Sequence, residues 1–301
     1  MTTISLLITG ATGFMGKLLV RYLGETCPEL TVACTVRTTS KQELLAGLHP
    51  NLQFILADTG TLLGWQRIFA QVDPATIVHL VQLRQVPDLL TAVQSLDHAP
   101  RLIIIGTTGV LSRHNQYAEG YQAAEMALTK YAGKVCLLRP TMIYGSYEDK
   151  NLHKLIQFCD RYGFFPVFGS GQSLLQPVHA DDLAKALLSV FLNPKIQGTY
   201  DLSGGTVVTF LELLTLVEKL LDKPVYPLHI PYQLGVWFAT LAETILGNKA
   251  PVRREQILRL QEDKAYSHEA ASKAFGYAPR SLKVGLAQEI KILRAEGIIS
   301  S

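Results

Sequence analysis

The stretch ITGATGFMG (residues 8–16) restricts the fold of this chain more than any other. It stands between the apolar run ISLLIT and the helix-like run KLLVRYL, so glycines at 10, 13 and 16 fall in a strand-to-helix turn. Gly10 permits a tight turn, Gly13 lets the backbone come close to a pyrophosphate, and Gly16 lets the following helix lie close on its strand. The helix N-terminus then offers unpaired N–H groups and a positive dipole end to the anion. Thr12, Phe14 and Met15 complete the cradle. A bare glycine triplet says little; one placed after a first strand and ahead of further βα units says much more.

The rest of the first half supplies those units. LTVACTV, LQFILA, ATIVHLV, RLIIIG and VCLLRP are short runs rich in Ile, Val and Leu, as suits strands of a parallel sheet covered on both faces. Amphipathic stretches such as GKLLVRYLGET and QAAEMALTKYA alternate with them. The alternation predicts an α/β fold, a Rossmann-type doubly wound parallel sheet. After Pro140 the pattern becomes irregular, then returns in PVHADDLAKALLSVFLNP, a strand and a helix capped by Asp181 or Asp182. Thr209 caps a further helix, FLELLTLVEKLL. The expected organisation is a sheet domain over 1–143 with 176–196 returning to it. A smaller, mostly helical substrate-binding appendage is expected over 144–175 and 197–301.

Composition narrows the function classes. Hydrophobic residues make up 48% and charged ones 18%, as in a compact soluble enzyme. A net charge of +3, evenly spread, argues against nucleic acid as a partner. The N-terminal apolar run is too short for a signal peptide. Cys27, Cys34, Cys136 and Cys159 show no C-x-x-C spacing and no histidines at metal spacing. They read as reduced thiols of a cytoplasmic (or stromal-type reducing) compartment, and no metal site is expected. His179, Asp181 and Asp182 read as a helix start, not as a metal site or triad. The segment YQLGVWFATLAETILG (232–247) is too short, and with Glu243 too polar, to span a bilayer. A buried or partner-covered helix is expected there, with peripheral membrane contact as the alternative.

The spacing G-x-x-G-x-x-G resembles the extended branch of the short-chain dehydrogenase/reductase superfamily, which holds epimerases, dehydratases and reductases. ILADTGT, TIVHLVQ, LLRPTMIYG, PVHADDLAKAL and SKAFGYAPR resemble it too, so the likeness runs through essentially the whole chain. It implies a nicotinamide dinucleotide, with Asp58 at the adenine ring, Leu80 beneath the cofactor and Pro140 toward the nicotinamide end. In members that use NAD, an acidic residue ends the second strand. Here that strand is followed by Arg37, Thr38, Thr39, Ser40 and Lys41. Arg37, Ser40 and Lys41 are placed to hold a 2′-phosphate, so NADP(H) is favoured, with NAD(H) left open.

The resemblance also implies a tyrosine, a lysine four residues on, and a serine or threonine at the end of the fifth strand. Four residues along a helix put two side chains on one face. Aligned on Glu125, Tyr117 takes the tyrosine place and Thr107 (or Thr108) the serine place, but Tyr121 stands where the lysine is expected. None of the twelve tyrosines is followed four residues later by lysine. Without that ammonium, Tyr117 suits donating a proton to a developing alkoxide better than removing one, which favours reduction over oxidation. Tyr121 replaces the lysine only in hydrogen-bonding the ribose. The alternative is that both tyrosines are core aromatics.

The segments before the fifth strand and between Thr107 and Tyr117 are shorter than in most extended members, which leaves the oligomeric state open. Leu174 and Leu175 stand where an arginine often serves a nucleotide-sugar diphosphate, unless Arg139, His153 or Lys154 compensates. The substrate is expected near Tyr144, Phe168 and Gln176. Two functions follow. One is an NADP(H)-binding enzyme that reduces, or less readily epimerises, a small carbonyl or sugar-type substrate. The other is a non-catalytic cofactor-binding protein, a redox sensor or a structural subunit of a protein assembly.

Overall fold

The computed structural model describes residues 2–149, 151–247 and 253–300. Seven parallel strands form one sheet: β1 (Thr2–Thr9), β2 (Val32–Val36), β3 (Leu52–Leu56), β4 (Val72–His79), β5 (Arg101–Ile105), β6 (Val135–Pro140) and β7 (Gly198–Leu202). Their order is β7-β6-β5-β4-β1-β2-β3. It reverses between β1 and β4, and at such a switch point the carboxyl ends of the strands open a crevice. The crossovers are α1 (Phe14–Thr26), α2 (Leu62–Phe69), α3 (Val86–Ala92), α4 (Ala118–Thr129) and, after an appendage helix α5 (Leu152–Tyr162), α6 (Ala180–Leu192).

Side chains of successive strand residues point to opposite faces, and each face meets its own layer. Leu6, Ile8 and Val78 pack with Leu19 and Leu23 of α1 and Leu183 and Leu187 of α6. Leu7, Ile77 and Ile104 pack with Trp65 and Ile68 of α2, Leu89 of α3 and Leu128 of α4. Burying each such side chain contributes roughly 1.5–3 kcal/mol. Arg101 is buried at the start of β5, and its guanidinium donates to the carbonyls of Val190, Phe191, Asn193 and Ile196. Those carbonyls lie at or just beyond the C-terminal end of α6, where the helix dipole favours a cation.

The appendage has a separate core. That core lies among α5, α7 (Phe210–Leu221) and α11 (Leu282–Ala295), while α8 (Tyr232–Leu246), α9 (Arg254–Arg259) and α10 (Glu269–Phe275) lie outside it. Leu155, Ile156, Leu213, Val217, Leu286, Ile290 and Leu293 fill that core. A parallel pair of short strands, Phe164–Phe168 and Tyr226–Ile230, flanks it. As expected, Thr209 caps α7, here in a reciprocal box with Glu212.

Three expectations need correction. Gly198–Leu202, assigned to the appendage, is the edge strand of the main sheet, with Thr199 opposite Leu137. Its outer residues are exposed, so GTYDL lacks the apolar run that marks a central strand. Residues of the C-terminal part also return to the sheet, where Ala271 and Tyr277 join the α1–α6 core. Second, His179 caps α6, its Nδ1 accepting from the Asp181 N–H at 3.2 Å. Asp181 and Asp182 lie in the first turn instead, where Arg280 binds both. Third, α8 is not buried. Gly235 and Ala239 face the protein, against Phe168 in the case of Gly235, and the bulky residues face outward.

Candidate functional site

The glycine turn forms as its sequence demands. Gly10 has φ +73°, a region that side chains avoid. A Cβ on Gly16 would stand 2.3 Å from the Gly10 carbonyl oxygen and 2.4 Å from that of Ala11. Glycine at 16 therefore sets how closely α1 starts beside β1. Gly13 occupies the N-cap position without a capping side chain, so the first N–H groups of α1, on Phe14, Met15 and Gly16, face the crevice with no intrahelical acceptor. Thr12 lies half-buried inside the turn. A cradle of backbone donors with no room for a Cβ fits a dinucleotide pyrophosphate.

The neighbouring strand ends surround the cradle. At the end of β2, Arg37, Thr38, Thr39 and Ser40 are exposed and Lys41 is half-buried. Thr38 and Ser40 hydroxyls lie 3.2 Å apart, and among the described residues neither Arg37 nor Lys41 has an ion-pair partner. Asp58 follows β3, exposed, with Oδ1 accepting from the Gly60 N–H at 3.0 Å. Leu80 follows β4 half-buried, its N–H bonded to the Thr9 carbonyl. Beneath it His79 is buried, Nδ1 3.0 Å from the Thr9 hydroxyl, and burial lowers its pKa to about 4. Lys17 of α1 pairs with Glu148 at 2.6 Å, fastening the segment after β6 beside the cradle.

Sequence placed the catalytic pair on β5 and α4, and the structure separates their candidates. Thr108 is buried and committed to the Pro140 carbonyl at 3.3 Å. Thr107 is half-buried at the carboxyl end of β5 and accepts from the Gly109 N–H, which leaves its own proton free to donate. Tyr117 begins α4 with 40% of its surface exposed, so it is not a core aromatic. The guanidinium of Arg84, from the turn after β4, lies 4.2 Å from its ring centre. Tyr121 sits one turn on with its ring 6.3 Å from that of Tyr117, half-buried against the α2–α4 core.

Three residues that sequence reasoning missed hold this pair together. Asn115 donates to the Gly109 carbonyl at 3.0 Å and accepts from the Tyr117 N–H at 3.1 Å, linking the Thr107 turn to the start of α4. Glu262 accepts from the Ser112 hydroxyl and from the N–H groups of Arg113 and His114. Burial opposes its ionisation, but those donors hold its carboxyl below the usual range. Glu255 accepts from the Gln116 N–H. An asparagine before a helix is a weak capping signal, but nothing local marks the two glutamates.

The residues expected around the substrate are largely spent on the fold. Tyr144 is buried, edge-on to His179 and against Gly285, with burial raising its phenol far above the usual range. Gln176 is buried, donating to the Gly204 carbonyl and accepting from the Tyr266 N–H. Arg139 cannot serve a diphosphate, because Glu125 takes its guanidinium in a bidentate pair and Asp201 stands 3.7 Å away. His153 lies against Asp149. Phe168 remains half-buried, and Lys154 is exposed.

A doubly wound parallel sheet, a phosphate cradle of backbone donors at its switch point, a threonine after the next strand and a tyrosine at the following helix start make a site of the kind that binds a dinucleotide. Residues 8–56 match the family model of the male sterility protein NAD-binding domain. The chain is 28% identical over 131 residues to mitochondrial NADH dehydrogenase [ubiquinone] 1 alpha subcomplex subunit 9 of Arabidopsis thaliana, covering 43% of this chain and 32% of that one. It is 26% identical over 200 residues to short-chain dehydrogenase/reductase family 42E member 1 of Danio rerio, covering 61% and 49%. The chain thus spans less than half the length of these two relatives. The fold matches a Bacillus cereus UDP-glucuronic acid 4-epimerase, solved with UDP-glucuronic acid and NAD. The TM-score is 0.71 at 18% identity, over 97% of this chain and 100% of that one. In sequence the chain is thus similar to short-chain dehydrogenases/reductases over part of its length, and its fold is that of the solved epimerases and dehydratases.

Proposed function

We propose that the protein binds NADP(H) and reduces a small carbonyl or sugar-type substrate. The observation that carries the cofactor preference is the end of β2. No carboxylate stands there, and Arg37 and Lys41 flank the hydroxyls of Thr38, Thr39 and Ser40 beside the cradle. An NAD-specific site would put an acidic residue at this place.

When bound, the dinucleotide supplies the hydride. Thr107 donates a hydrogen bond to the substrate carbonyl oxygen and orients it. Tyr117 passes its phenolic proton to the same oxygen and is reprotonated from solvent, to which it is open. Tyr121 hydrogen-bonds the ribose, and the backbone N–H groups of residues 14–16 hold the pyrophosphate. Asp58 meets the adenine, while Leu80 and Pro140 line the path of the nicotinamide half.

Titration of the purified protein with NADPH and NADH tests this. NADPH should bind more tightly, and Arg37→Ala should weaken it by roughly 10- to 100-fold, the worth of one charged hydrogen bond, while leaving NADH unchanged. Equal affinities refute the 2′-phosphate site. Against a panel of carbonyl substrates, Tyr117→Phe should abolish NADPH consumption, and an unchanged rate refutes its role.

A second reading is favoured by one specific observation, the absence of any lysine four residues after a tyrosine. A cofactor-holding subunit of a larger assembly needs the cradle and not the lysine, and a relative of the chain carries the name of an NADH dehydrogenase subunit. That reading predicts NADPH binding with no consumption by any substrate.

A further inference from the structure

Helix α8 carries its amphipathic character inside out. At 100° per residue, Leu234, Trp237, Phe238, Leu241 and Ile245 fall within about 100° of arc. In a surface helix such a stripe normally faces the core; here these five side chains are between 42% and 70% exposed. The protein-facing side is made of Gly235 and Ala239, with Val236 and Glu243 half-buried. Glu243, the only charge in the helix, lies about 180° around the axis from the middle of the stripe. The strand leading into α8 adds Tyr226 and Leu228, also exposed. An apolar surface of this kind marks an interaction site.

Two features decide what covers it. Thr240 and Thr244, beside the stripe, donate their hydroxyls to the carbonyls of Val236 and Thr240 one turn back, at 2.8 and 2.9 Å. The free side-chain donor on the stripe is the indole N–H of Trp237, and an amphipathic indole among apolar side chains suits the headgroup level of a lipid surface. The second feature is charge. Helix α9, which packs against α8, opens with Arg253 and Arg254, and the acid of its first turn, Glu255, is turned to the Gln116 N–H and to Arg259. Arg254 is exposed at the start of α9 and has no ion-pair partner among the described residues. Apolar aromatics beside a basic cluster match an anionic lipid surface. Among the described residues no helix is long and apolar enough to cross a membrane, so α8 would lie in the interface plane.

We infer that the outward face of α8, with Arg253 and Arg254 beside it, docks the protein on anionic lipid bilayers. The protein carries two tryptophans, of which Trp65 is wholly buried and Trp237 exposed, so fluorescence changes on docking report Trp237. Vesicles of phosphatidylcholine with about 30% phosphatidylserine should sediment the full chain and shift its emission to the blue. Pure phosphatidylcholine, or about 0.5 M salt, should weaken binding severalfold. Trp237→Ser combined with Phe238→Ser should lower partitioning about tenfold or more, with an unchanged thermal unfolding midpoint because both side chains stand in solvent. Arg253→Gln or Arg254→Gln should each cost about fivefold. Three results overturn the inference. They are no sedimentation with anionic vesicles, binding that the double aromatic variant leaves intact, or a lipid-free dimer that the same variant returns to monomer, which would assign the face to a second copy of the chain.

Discussion

Glu289 on α11 is wholly buried, and neither carboxyl oxygen has a hydrogen-bond partner among the described residues. Burial, and after it the Asp149 carboxyl facing it, push its pKa up to about 10 from the usual 4.5. Asp149 spends Oδ1 on the Asn151 N–H at 2.7 Å and on His153 at 3.2 Å, and its Oδ2, like the Glu289 oxygens, has no hydrogen-bond partner among the described residues. The folded protein therefore carries a proton at neutral pH that the unfolded chain releases. A raised folded-state pKa contributes stability that is complete below pH 4.5 and is lost as pH rises toward 10. At pH 7 the loss has run over about 2.5 units at about 1.36 kcal/mol each, or about 3 kcal/mol. Any folded-state value above about 8 gives the same figure at pH 7, so the magnitude does not hang on the last unit of the shift.

Glu289→Gln has nearly the same shape and cannot ionise, so it should stabilise the protein by about 3 kcal/mol at pH 7 and by less as pH falls toward 4.5. The assay is urea unfolding of both proteins between about pH 6.5 and pH 8. His79 and His179, lowered to about 4, and Lys264, lowered to about 8, also titrate differently in folded and unfolded chains, but identically in the two proteins, so they cancel in the difference. Wild-type stability should fall with pH by about 1.4 kcal/mol per unit relative to the variant. A variant less stable than wild type at pH 8, or a difference that does not change with pH, refutes a neutral Glu289.

Three further outcomes follow from named contacts. Gly16→Ala drives a methyl group to 2.3 Å from the Gly10 carbonyl; it should cost at least about 2 kcal/mol and abolish NADPH binding, as urea unfolding and titration would show. Arg280→Gln leaves Asp181 and Asp182 without the guanidinium that touches both, and unfolding should register a loss of about 3 kcal/mol. Glu262→Gln removes the charge that gathers Ser112, Arg113 and His114. Hydrogen exchange at the amides of 113–117 should accelerate about tenfold, for about 1.4 kcal/mol of lost charged hydrogen bonding, with global stability nearly unchanged.

Local features of this protein were legible because their causes are local. The central strands carry short apolar runs covered on both faces, such as LLI in β1 and LIII in β5, and the cradle is a glycine pattern whose steric reason lies within seven residues. The capping box at Thr209 and Glu212 is likewise a short-range signal. GTYDL was legible as a strand, but its place at the edge of the main sheet was not, because half-exposed residues carry no apolar run that ties them to the central strands. Tyr144 and Gln176 were misplaced for the opposite reason: a tyrosine or glutamine near a cleft looks available until its neighbours are known. Gly285 and His179 close over the first, and Gly204 and Tyr266 take both ends of the second.

The same distinction explains how the site can differ from its relatives' pattern and still be ordered. Position 121 breaks the motif on α4, yet Tyr117 is oriented from other parts of the chain. Arg84 arrives 33 residues earlier, from the turn after β4, and packs its stem over Gly120 as its guanidinium covers the Tyr117 ring. Asn115 ties the backbone of Tyr117 to the Thr107 turn, and Glu255 and Glu262 hold the intervening loop from the C-terminal side of α8. An exposed cation–π contact adds about 0.5–1 kcal/mol and each charged hydrogen bond about 1.5–3 kcal/mol, so the loop owes more of its order to the glutamates than to Arg84. Glu255 stands in the first turn of α9 and Glu262 just beyond its end. α8 packs against α9, so a force on α8, such as insertion into a lipid surface, reaches the helix that carries one of the clamps on the loop before Tyr117. The site and the exposed helix are mechanically adjacent even though the cofactor cradle lies at the other end of the sequence.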